Sequence, residues 1–282
     1  MAAHLRLRGG RPQEAPKPPP LRLVNSDKVL SYRAHSPYVL WGFRPDNDTS
    51  ITHALFRLHN ESFNIWSHLA GTIIFVLPRI IGPGVEGAPW LSAALRCHAI
   101  VAACCGFASA AYHVCESWPT SSYSRLLALD YTMAYVATVS HSFLIACFET
   151  RDQPLLCAAL ITPLLLLGAK GAHFFLRLQS NNTTDSRASV VRTMVAPFIL
   201  ALPLILRALL FPSAITPVLL RWMAAFVVAT LAWVLELPER LFRPGTFDLI
   251  GKSHNVMHVM VLVVWQELHF GIRGLVELAV AA

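Results

Sequence analysis

Charge is scarce in this chain. Only 14% of its 282 residues are Asp, Glu, Lys or Arg, against about 25% in soluble proteins, so a surface facing water on all sides is excluded. Cysteine is sparse as well. Cys97, Cys104, Cys105, Cys115, Cys147 and Cys157 form no CxxC pair, which excludes a disulfide or zinc-finger framework and leaves them as small buried hydrophobes. No stretch interleaves basic and aromatic residues on a polar surface. The excess of 23 Lys and Arg over 16 Asp and Glu therefore points to anionic lipid and not to nucleic acid. The amino-terminal stretch lacks the uninterrupted apolar core and small-residue cleavage site of a signal peptide, so no cleaved leader is expected. Two-residue alternation is absent too, which excludes a transmembrane barrel.

Long apolar runs are what the chain has. Hydrophobic residues make up 55% and the mean hydropathy is +0.50. A membrane crossing takes roughly 20 apolar residues, and the runs at 65–81, 91–115, 126–148, 155–178, 193–211, 217–237 and 256–281 predict seven of them. Unpaired backbone groups are intolerable in lipid, so each run must be a helix; Pro163, Pro197 and Pro203 are tolerated within spans when neighbours satisfy the freed carbonyls. The expected organisation is a Pro-rich, basic and disordered cytoplasmic tail over 1–36, an amino-terminal surface segment over 37–64, and an all-α, seven-helix transmembrane bundle over 65–282. With the amino terminus in the cytosol, sixteen Lys and Arg residues fall inside and six outside, Lys170 being within a span. That asymmetry predicts a cytoplasmic amino terminus. The sequons at Asn47, Asn181 and Asn182 would then face the cytosol and stay unmodified.

Ionisable groups inside spans are costly and mark functional sites. Four fall at one predicted depth, the cytoplasmic end: His113, Asp130, His254 and His258. His254 and His258 are four residues apart and share a helix face, as do Ser109 and His113. Three neutral imidazoles make a tetrahedral zinc site with an open fourth position, where a bound water becomes acidic near neutral pH. Asp130 could take that water's proton and pass it to a leaving amine. The other reading of a lone histidine at a span end is an interfacial side chain, and His53, His68, His98, His141, His173 and His269 are read that way. A transport path through Asp130, Lys170 and Arg207 would call for repeat halves, and none is evident.

The segment Phe56-Arg57-Leu58-His59-Asn60-Glu61-Ser62-Phe63-Asn64-Ile65-Trp66-Ser67-His68-Leu69 resembles the start of the first span in the progestin and adipoQ receptor family, which includes the adiponectin receptors and hemolysin III proteins. Tyr38 to Pro45, Ser109-x3-His113, Ala128-Leu129-Asp130-Tyr131, Leu237-Pro238-Glu239-Arg240, Pro244-Gly245-x-Phe247-Asp248 and Gly251-Lys252-Ser253-His254-x3-His258 are similar to its later motifs, in its order. Phe63 and Asn255 depart from the small residue and the glutamine common in the family. The resemblance implies a seven-helix bundle inverted relative to G-protein-coupled receptors. It further implies Zn2+ on His113, His254 and His258, with Asp130 and Ser109 in catalytic positions. The implied activity is zinc-dependent hydrolysis of a ceramide-like lipid amide to sphingosine and fatty acid, linked to lipid signalling; the alternative is a receptor or scaffold whose zinc is structural. Implied partners are the membrane, a lipid substrate or ligand, an extracellular or steroid ligand, and a second copy of the chain. The implied setting is the plasma membrane, endoplasmic reticulum or Golgi. His59, Glu61 and Asn64 are read as structural ties, and Glu239, Arg240 and Asp248 as ordering the last loop.

Overall fold

The computed structural model describes residues 22–34, 36–178 and 187–281. The tail up to residue 21 and the sequons at Asn181 and Asn182 lie outside the described residues. Seven helices are long and apolar enough to cross a membrane: α1 (Ser62–Ile81), α2 (Pro89–Val114), α3 (Thr120–Glu149), α4 (Pro154–Leu178), α5 (Arg187–Leu210), α6 (Thr216–Leu235) and α7 (Ser253–Ala281). The chain is therefore an integral, multi-pass membrane protein, and no strand occurs among the described residues. The helix ends match the hydropathy runs to within three residues, except that α3 and α5 begin six residues earlier. In α1 a π-helical stretch, Thr72–Val76, precedes Pro78. Proline cannot donate an amide and its ring presses on the carbonyl four residues back, so the wider turn absorbs the misfit without ending the helix.

The packing order sets the site. α3 is the inner helix, with 72% of its apolar window buried against 17% for α4, and it packs on α2, α4 and α5. α7 packs on α6 and crosses α1 and α2, which brings the start of α7 to the end of α2. Small residues let the backbones close up. A Cβ on Gly171 of α4 would lie 2.2 Å from the Tyr135 ring, which is itself fully buried and donates its hydroxyl to the Leu167 carbonyl at 2.8 Å. Gly171→Ala is expected to destabilise the α3–α4 contact by about 1–3 kcal/mol through overpacking; a thermal melt of the detergent-solubilised protein checks this.

The chain before α1 closes one end of the bundle. Within the stretch 1–36 expected to be disordered, the described residues from 22 on have ordered backbone: Val24 and Phe43 exchange two backbone hydrogen bonds, and a six-residue helix, Ile51–Phe56, leads to the first span. The anchor is Arg33, 2% exposed. Its Nε donates to Glu116 Oε1 at 3.0 Å and its Nη2 to Oε2 at 2.7 Å, a bidentate pair, while Asp46 accepts from Nη1. Burial works against the charge, but Glu116 and Asp46 overcome it and raise the Arg33 pKa above its ordinary value. Arg44 donates to the carbonyls of His113 and Val114 at 3.2 and 2.8 Å, satisfying carbonyls that the last turn of α2 leaves open. The last loop is tied down as well: Asp248 accepts from the Leu40 amide at 2.7 Å, and Glu239 from the amide and hydroxyl of Ser253 at the start of α7. Glu267, which has no partner evident in sequence, pairs with Arg221 at 2.7 Å.

Four histidines depart from the interfacial reading. His68, His98, His141 and His269 are buried between helices, because each lies on the face its helix turns toward its neighbours, a property that hydropathy alone does not report.

Candidate functional site

His113 ends α2, and His254 and His258 open α7. Across 141 residues of sequence, His113 Nε2 and His254 Nε2 stand 3.3 Å apart. Two imidazole nitrogens on one tetrahedral ion, each about 2.0–2.1 Å from it, must be roughly that far apart. One ring nitrogen from each of His113, His254 and His258 lies within 4.8 Å of the others, so the three could hold a metal ion. Spacing along α7 explains one pair and the α2–α7 crossing supplies the third imidazole.

The other two site residues are brought to the same place. Ser109, one turn before His113, hydrogen-bonds the Asp130 carboxylate, and both line the cavity that the three histidines line. This cavity has a volume of about 860 Å³, within the size range of ligand sites. Its walls run from Glu239 and Lys252 at the capped end to Val264 and Trp265, and between α5 and α6 past Met194 and Phe226. Polar groups cluster at the triad end, and beyond it the walls are mostly apolar.

A sequence profile described as "Haemolysin-III related" matches residues 56–265. The chain belongs to the haemolysin-III related family. It is 31% identical to human "Progestin and adipoQ receptor family member 4" over 89% of this chain and 92% of the relative. It is 28% identical to mouse "Membrane progestin receptor gamma" over 86% of this chain and 78% of the relative. Identity to the "Adiponectin receptor protein" of Drosophila melanogaster is 27%, over 84% of this chain and 54% of the relative. Membership fits the motif order from Tyr38 to His258 and makes the protein a member of a membrane receptor family.

In this haemolysin-III related protein, residues that sequence reading set aside as structural hold the three histidines in place. Glu61 Oε2 accepts from His113 Nδ1 at 2.7 Å. A carboxylate can only accept, so the Nδ1 proton faces Glu61 and the Nε2 lone pair faces the other histidines. The Ser67 hydroxyl donates to the Asn64 carbonyl and thus accepts from His258 Nδ1, at 3.2 Å, which frees the His258 Nε2 lone pair in the same way. Glu61 also accepts from Lys252 at 2.8 Å and from Asn64 at 2.6 Å, and Asn255 links back to Asn64 at 2.6 Å. Burial opposes ionisation of Glu61, but Lys252 and His113 hold its carboxyl well below the ordinary carboxylate range. His59 is a tie of another sort. Its Nδ1 accepts from the Glu61 amide and its Nε2 donates to the Ala54 carbonyl; burial, with Arg44 nearby, keeps it neutral with a pKa of about 4. The only sequence signal for the role of Glu61 is an acid just before a span whose partner lies 52 residues away. Glu61→Gln is expected to weaken metal affinity about 10–100-fold, read by competition with a chromogenic chelator.

Proposed function

We propose that the protein hydrolyses the amide bond of a ceramide-like lipid, using zinc held by His113, His254 and His258, and releases a long-chain base and a fatty acid linked to lipid signalling. One observation carries this reading: Asp130 and Ser109 join the triad at the polar end of a large apolar cavity. An ion that only clamps helices requires neither a carboxylate beside it nor room for a lipid. Zinc in that position supplies Lewis acidity, activating water near neutral pH and polarising a carbonyl.

The remaining work falls to side chains. Asp130 takes a proton from the attacking water and returns it to the amide nitrogen as the carbon–nitrogen bond breaks, so that water's hydroxyl ends on the acid and its proton on the amine. Ser109 holds the Asp130 carboxylate in position. Glu61 and Ser67 fix the imidazole tautomers, and the apolar walls keep bulk water from the acyl chain. The Lys and Arg asymmetry favours an amino terminus in the cytosol, with the site near that face, in the plasma membrane or an endoplasmic reticulum or Golgi membrane.

A second reading is a receptor whose zinc is structural. The Glu61 network supports it, since one carboxylate ties the start of α1 to α2 through His113 and to α7 through Lys252, so an ion there would lock three helices. Asp130→Ala separates the two. Hydrolysis predicts that this variant keeps stoichiometric zinc while fatty acid release falls at least about 100-fold, and that His258→Ala loses both. Full turnover in Asp130→Ala would sink the hydrolytic reading.

A further inference from the structure

His141 is a buried polar group without a hydrogen-bond partner among the described residues. It is 2% exposed, neither ring nitrogen has a hydrogen-bond partner among the described residues, and it lines the same cavity as the triad. Its neighbours are rings: Phe198 stacked at 6.5 Å, Trp222 edge-on at 5.8 Å and His98 at 5.2 Å between centroids. The nearest imidazole does not satisfy it, and an unpaired buried donor or acceptor is costly to keep.

Helix geometry relates His141 to the reaction centre. Asp130 and His141 are eleven residues apart in the unbroken helix α3, which is three turns plus about 20°, so both project from one face, roughly 16 Å apart along the axis. Ala134, Ala137 and Thr138 between them line the same cavity. An extended acyl chain with its carbonyl at Asp130 covers that distance in about a dozen carbon–carbon bonds of ~1.5 Å set in a zigzag.

Resting on the hydrolase reading for the identity of the chain's head, the geometry points to a substrate whose acyl chain carries a second oxygen, a hydroxyl or ketone, about a dozen carbons beyond the scissile carbonyl, with His141 as its hydrogen-bonding partner. Such an oxygen meets a ring that can donate from one nitrogen and accept at the other. A plain chain leaves His141 unpaired, and sites built around a buried polar group discriminate against ligands that lack its partner.

The test uses the full chain in nanodiscs with three free acids as probes: stearate, 12-hydroxystearate and 2-hydroxystearate. Binding is read by displacement of a fluorescent fatty acid. The wild type should bind 12-hydroxystearate about tenfold more tightly than either other acid. His141→Phe should abolish that preference, and His141→Gln, which keeps a donor and an acceptor, should retain part of it. Equal binding of all three acids by the wild type, or a preference that survives in His141→Phe, would overturn the assignment. If none of the acids binds, it falls together with the lipid reading of the cavity. Selective binding without release of acid from the matching ceramides would uphold the His141 contact and overturn hydrolysis alone.

Discussion

Replacing His258 with alanine is expected to empty the metal centre and to lower the melting temperature by roughly 10 °C. The side chain is 1% exposed and stacks on His68 at 3.8 Å, and its Nδ1 is already committed to Ser67, so its remaining nitrogen serves the triad. A ligand that binds the folded state alone stabilises it by about 4 kcal/mol when present at a thousand times its dissociation constant, and for a chain of this size each kcal/mol moves the melting point by about 2–4 °C. Chelation of the wild type should reproduce most of the shift and leave the variant unmoved. Metal analysis and paired melts with and without chelator check both; a variant that keeps one equivalent of metal would contradict the triad.

The second large effect lies outside the bundle. Arg33→Ala should cost about 3–5 kcal/mol, because it leaves Glu116, 2% exposed, as a buried charge without its bidentate partner. It should also loosen the cap over the cavity, whose wall includes Tyr32 and Arg33. Pairing Arg33→Met with Glu116→Leu should recover much of the loss, since an apolar pair of similar volume has no charge to desolvate. A melt of the single variant that superimposes on the wild type would show that the pair is not what holds the amino-terminal segment.

The seven crossings were legible in the sequence because a bilayer imposes length and hydropathy on each segment independently. The pairing of His254 with His258, and of Ser109 with His113, was legible because both are spacings within one helix. Contacts between helices were not. Glu61 reads as a polar residue before a span until α1 is laid against α2, and only then does its oxygen stand 2.7 Å from His113. His98 and His141 look like interfacial side chains until the inward faces of α2 and α3 are known. Arg33 counts as one more charge in a basic tail, yet its partner Glu116 sits 83 residues on, in the α2–α3 turn. Periodicity reports which residues share a face, and packing decides what that face meets.

The most direct test of the central claim is mass-spectrometric detection of fatty acid released from ceramide in heavy-oxygen water by the zinc-loaded protein. The account predicts release with a single solvent oxygen in the new carboxylate, lost on chelation and lost in Asp130→Ala while zinc stays bound. A protein that binds zinc stoichiometrically, melts lower on chelation and yet releases no labelled acid would contradict hydrolysis and leave the metal as a clamp between α2 and α7.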